Sequence, residues 1–131
     1  MDVTRGALER GIALMTPGRR WSEVAAGIQA VVEEANLSVV RDFVGHGIGR
    51  SMHEEPKVPN YWDKRQRQPD FELQPGTVLA VEPMVNVGSA EVAYADADRW
   101  VVVTRDRKLA AHFEHTIAIT DSGADVLTDG R

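Results

Sequence analysis

From Trp21 onward apolar residues return at helical spacing. Trp21, Val24, Ala25, Ile28, Val31 and Val32 form one stripe, and Glu23, Gln29, Glu33 and Glu34 form the wet face. Such a stripe has to be buried against a second layer. Upstream, Leu8, Ile12 and Met15 mark a first helix over residues 4 to 15, weakened by Gly11 and stopped by Thr16-Pro17-Gly18. The second helix is expected over residues 21 to 35, with Asn36 as its stop. Beyond it the apolar runs become short and β-branched. Strands are expected at 37 to 44, 77 to 85, 99 to 104, 111 to 120 and 125 to 127, with a hairpin connection over 88 to 97 and a turn at Asp106-Arg107-Lys108. Residues 54 to 76, with prolines at 56, 59, 69 and 75, read as mostly irregular, and Pro75-Gly76 as a turn. Two helices followed by antiparallel-looking strands give an α+β architecture.

A chain of 131 residues makes one domain with a modest core. Its net charge of −5 argues against a general nucleic-acid binder. The basic cluster Lys64-Arg65-Gln66-Arg67 lies among Asp63, Asp70 and Glu72 and reads as a solvated loop. The absence of cysteine excludes disulfides and thiolate ligands, and fits a cytosolic protein. No apolar signal core opens the chain, and no run is long enough for a membrane span.

The chemistry concentrates in Gly45-His46-Gly47-Ile48-Gly49-Arg50-Ser51-Met52-His53-Glu54-Glu55-Pro56, read as a loop. Glycines let the backbone approach a ligand closely. A histidine held between them can offer a ring nitrogen to a metal, and His53 can donate or accept a proton. Two glutamates, Glu82 and Glu114, sit inside apolar runs. A carboxylate there must be neutralised, hydrogen-bonded or bound to a metal, unless Glu82 lies on a wet edge strand or Glu114 on a solvated sheet face. One histidine with two carboxylates suits Mn, Fe, Co or Zn, with a position left for water. His53-Glu54-Glu55-Pro56-Lys57 lacks the second histidine of H-E-x-x-H, and Pro56 disfavours a helix there. Neither a G-x-S-x-G elbow nor a P-loop is present.

The stretches GHGIGRSMHEEPKVPNY, VLAVEPMVN and HFEHTIAIT, in this order, resemble the type I methionine aminopeptidases of the pita-bread metallopeptidase superfamily. The turn at Met15-Thr16-Pro17-Gly18, Gln74-Pro75-Gly76 and Asp98-Arg99-Trp100 agree with that pattern. The resemblance implies a divalent metal pair, with His46 and Glu82 on one ion and Glu114 bridging both. It implies that His53 contacts the substrate's peptide carbonyl and helps stabilise the tetrahedral intermediate. Met52 and Trp100 match positions lining the substrate pocket. His112, where many relatives carry glutamine, becomes a partner that holds a ligand rather than a ligand itself.

The family's D-x10-D pair and a further pocket histidine have no counterpart among these residues, because no two aspartates stand eleven positions apart. Residues 1–131 are therefore expected to form the C-terminal half of the pita-bread catalytic domain without its N-terminal half, holding at most one of the two ions. The resemblance further implies removal of the initiator methionine from nascent polypeptides in the cytoplasm, in proximity to the ribosome, and a homodimer or an association with the missing half. A proline-directed peptidase of the same superfamily and a non-catalytic binding module are the alternatives.

Overall fold

The computed structural model describes residues 1–65 and 70–130. Two helices, α1 (Asp2–Leu14) and α2 (Trp21–Glu34), precede ten strands. These are β1 (Ser38–Val39), β2 (Gly45–Gly47), β3 (Glu54–Val58), β4 (Val78–Val81), β5 (Met84–Asn86), β6 (Val92–Tyr94), β7 (Val102–Thr104), β8 (Ala110–His112), β9 (His115–Thr120) and β10 (Gly123–Val126). The strands form a five-stranded sheet ordered β10-β9-β4-β2-β3, a three-stranded sheet ordered β1-β5-β8, and the hairpin β6-β7. The described pairings are antiparallel, and the α+β expectation holds.

Helix α2 follows its apolar stripe: Trp21, Val24, Ala25, Ile28 and Val32 are buried, and Asn36 ends it at a φ of 57°. Helix α1 crosses it closely, and a Cβ on Gly11 would meet the Ile28 side chain at 2.8 Å. Gly11 thus serves the helix crossing, at a cost in helix propensity. Both helices join one core with Leu79, Val81, Ile117 and Ile119 of the large sheet. Trp21 anchors that core. Its ring is fully buried and stacks on Phe71 at 5.8 Å, and its Nε1–H donates to the Pro59 carbonyl at 2.9 Å.

Asp70 caps α2 from a distant part of the chain. Its Oδ1 accepts from the Ser22 amide at 3.0 Å, and its Oδ2 from Arg20 Nε at 2.7 Å. Burial raises the Asp70 pKa, but hydrogen bonds from Arg20 and Ser22 outweigh it and hold the carboxyl below its ordinary value. A depressed carboxyl contributes stability above its unfolded pKa and loses it as pH falls through the folded value. Asp70→Ala is expected to lower unfolding stability by about 1 kcal/mol near neutral pH, a loss that shrinks in acid. Urea unfolding of both proteins across acidic pH checks this.

Several strand expectations are corrected. The runs 77 to 85 and 111 to 120 each divide, into β4 and β5 and into β8 and β9. Strand β4 pairs with β9 and β5 with β8, so one antiparallel ribbon passes from the large sheet into the small one. Its breaks fall at Glu82-Pro83 and Phe113-Glu114. Proline has no N–H to continue a ladder; Pro83 instead offers its carbonyl to the Phe113 amide at 3.4 Å. The run 37 to 44 shortens to β1. The glycine-histidine segment is not wholly a loop, because Gly45–Gly47 form β2 inside the large sheet. The irregular reading of 54 to 76 misses β3, and the 88 to 97 connection contains β6. Of the basic cluster, Arg65 is exposed and pairs with Asp63 at 3.1 Å, while Gln66 and Arg67 lie outside the described residues, as does Pro69.

Candidate metal centre

Strand register places His46. It pairs with Ala80 on β4, which pairs with Thr116 on β9, giving a row across the sheet. The next row, through Gly47, Leu79 and Ile117, carries the core side chains that meet the helices. Side chains alternate between faces, so His46 points away from the helices. Close strand approach explains its leading glycine: a Cβ on Gly45 would collide with the Ala80 carbonyl oxygen.

Glu82 lies two residues past Ala80, and Glu114 two residues before Thr116. Both carboxylates return to the His46 face where the ribbon breaks. One donor atom from each of His46, Glu82 and Glu114 lies within 4.8 Å of the others. His46 and Glu82 are half-buried, and Glu114 is exposed. Glu82 thus sits in a strand break at the junction of two sheets rather than inside an apolar strand.

The His46 ring is oriented for ligation. Its Nδ1 lies 2.9 Å from the Gly47 carbonyl oxygen. A carbonyl can only accept, so this contact calls for a proton on Nδ1, and in the neutral ring Nε2 then holds the lone pair, the arrangement that outer partners impose on metal-ligating histidines. That Nε2 stands 3.7 Å from Glu82 Oε1. The other oxygen, Oε2, stands 3.4 Å from His112 Nε2. Contact with Glu82 raises the His112 pKa, burial opposes the rise, and the charges of Glu82 and Glu114 add to it. A raised histidine contributes stability below its unfolded pKa and loses it as pH climbs through the folded value. The imidazole of His112 is half exposed, so solvent screening keeps that contribution small.

His53 is exposed, and its ring centroid lies 4.1 Å from that of His46, tilted by 42°. His46, His53, Glu82 and His112 share an open cavity of about 440 Å³ with Phe43, Val44, Met84 and Val102. Those four apolar residues escaped the sequence reading. Met84 was accessible to it, two residues past Glu82, whereas Phe43, Val44 and Val102 arrive from other segments. Met52 and Trp100 do not line this cavity and are 73% and 87% exposed. One imidazole with a free Nε2 and two carboxylates form a donor set suited to a hard or borderline divalent ion.

A model of metallopeptidase family M24 matches residues 1–121. Methionine aminopeptidase 1 of Bacillus subtilis is 48% identical over 128 residues, covering 98% of this chain and 50% of that protein. A crystal structure of methionine aminopeptidase from Rickettsia prowazekii superposes with a TM-score of 0.89 at 39% identity, over 97% of this chain and 50% of that one. The prolidase of Pyrococcus horikoshii shares the fold at a TM-score of 0.69, with 20% identity over 99% of this chain and 30% of that one. The chain spans about half the length of the curated relatives it matches. Among the described residues, no helix is long and apolar enough to cross a membrane.

Proposed function

This chain belongs to metallopeptidase family M24, and on that premise we propose that it supplies the C-terminal half of a methionine aminopeptidase. The reaction is hydrolytic release of an N-terminal methionine from a nascent polypeptide. The convergence of His46, Glu82 and Glu114 within 4.8 Å carries this reading. Identity of 48% to a methionine aminopeptidase supports it over a proline-directed peptidase, for which only the fold is shared. The setting is cytoplasmic, close to the ribosome, and the partner is the complementary half of the domain or a second copy.

A divalent ion at this site, Mn, Fe, Co or Zn, would serve as a Lewis acid that lowers the pKa of a water and polarises the scissile carbonyl. The protein residues prepare the place for it. The Gly47 carbonyl fixes the His46 ring. His112 occupies Oε2 of Glu82 and leaves Oε1 facing His46. His53, beside His46 and open to solvent, donates to the peptide carbonyl oxygen as negative charge grows there. Met52 and Trp100, both highly exposed, are available to close on the methionine side chain.

With three ligands from this chain, one ion should bind, weakly. Calorimetric titration with Mn or Co is expected to show at most one ion per chain, lost in Glu82→Ala. Two tight ions would contradict the ligand assignment. Supplied with the complementary half, the chain is expected to cleave Met-Ala-Ser and spare Ala-Pro peptides. The reverse preference would favour the proline-directed reading.

A further inference from the structure

In the large sheet β2 stands between β3 and β4. Its first residue, Gly45, pairs with Val58 at the last position of β3. Beyond that end a side chain links the continuations of β3 and β4: Asn60 Nδ2 donates to the Glu82 carbonyl at 3.3 Å. This carbonyl lies in the break between β4 and β5, next to Pro83, which has no N–H to extend a ladder. The backbone there has left the sheet, yet it carries a carboxylate that has to meet His46. Asn60 is itself held on both sides by α2. Trp21 Nε1 donates to the Pro59 carbonyl at 2.9 Å, and the Trp62 amide donates to Gln29 Oε1 at 2.8 Å. Asn60 is 1% exposed, and its Oδ1 has no partner among the described residues. Turned over, the amide would set that oxygen against the Glu82 carbonyl, acceptor against acceptor, so the nitrogen end must face it. A buried amide with its oxygen unanswered is a costly way to fill a core. What it supplies is one directed donor, aimed at Glu82.

We infer that Asn60 is a positioning residue of the metal centre, fixing the Glu82 backbone at the strand break so that Oε1 stays directed at His46. The inference rests on the reading of His46, Glu82 and Glu114 as ligands. Asn60 is outside that donor cluster and acts through Glu82. His112 meets the carboxylate at Oε2, and Asn60 holds the same residue by its carbonyl, so Glu82 is gripped at both ends. Loss of an outer partner of this kind costs a metal site roughly 10–100-fold in affinity.

The test is Asn60→Leu, which removes the donor at similar volume. Its control is Asn86→Leu. Asn86 is also 1% exposed with an unanswered Oδ1, but its Nδ2 donates to the Ser89 carbonyl instead of to a ligand. Cobalt is titrated calorimetrically into each metal-free chain in the assembly it forms in solution, and urea unfolding is measured alongside. Asn60→Leu is expected to weaken cobalt binding about tenfold and to change the visible absorption of the bound ion, which reports its geometry. Asn86→Leu is expected to match it in unfolding and to leave cobalt affinity and spectrum unchanged. Unaltered cobalt binding in Asn60→Leu, or an equal loss in both variants, would overturn the positioning role. Should Asn60→Leu not fold, Asn60→Ala against Asn86→Ala makes the same comparison without added bulk. An arm without metal reads the Glu82 carbonyl by its ¹³C NMR shift, which should move in the Asn60 variant and stay in the Asn86 variant. No cobalt binding by the unmodified chain marks failure of the ligand reading instead. The carbonyl shift then decides for or against the grip of Asn60 on Glu82.

Discussion

Replacing His53 by alanine in the enzyme assembled from this chain and its complementary half is expected to cut turnover by about 100-fold or more. That is the scale of removing one donor aimed at a developing oxyanion. His53 stands outside the cluster of His46, Glu82 and Glu114, with its ring 4.1 Å from that of His46. It is exposed, so the substitution leaves no hole in the core. A donor to the substrate acts when charge develops, so kcat should fall more than KM rises. Metal content, measured by elemental analysis, should match the unmodified protein. A variant that loses metal would make His53 a ligand, and one with unchanged kcat would remove it from the reaction.

The sequence carried the helices well, because both are amphipathic and locally determined. The stripe from Trp21 to Val32 placed α2 nearly to its ends, and Asn36 at positive φ marks its stop. Strands fared less well, since their limits depend on partners far along the chain. Gly45-His46-Gly47 has little strand propensity, yet it is held between β3 and β4. Glu82 and Glu114 were legible as carboxylates interrupting apolar runs of sequence. Their convergence was implied by the family resemblance; residue pattern alone did not carry it, because it follows from the ribbon crossing between sheets. The cavity walls Phe43, Met84 and Val102 come from separate segments and leave no local pattern. Asp70 as a cap for α2 was equally invisible, fifty positions from Arg20.

The other large expectation concerns the chain by itself, which should not persist as a monomer. Most of its exposed large apolar side chains fall between Val87 and Leu109. Trp100 is 87% exposed, Leu109 80%, Val87 52% and Val101 47%. Clustered apolar exposure of this kind marks an interface or an aggregation site. The small sheet adds the open edge of β8, which presents unpaired backbone groups to another chain. On the metal face, Glu82 and Glu114 bring two carboxylates into one cluster, with His112 at 3.4 Å from Glu82 as a partial offset. Repulsion between like charges there weakens the metal-free chain. Sedimentation velocity at micromolar concentration is expected to show dimers or larger species. A separately expressed N-terminal half from a relative should convert them to a one-to-one complex with higher solubility. Self-association alone would follow from a sticky surface of any origin, so the conversion is the discriminating step: only a complementary half should match both the apolar segment and the β8 edge. A monomer that melts cooperatively without metal would mean that the helices and large sheet suffice as a self-standing fold, and that the hairpin surface serves some other partner.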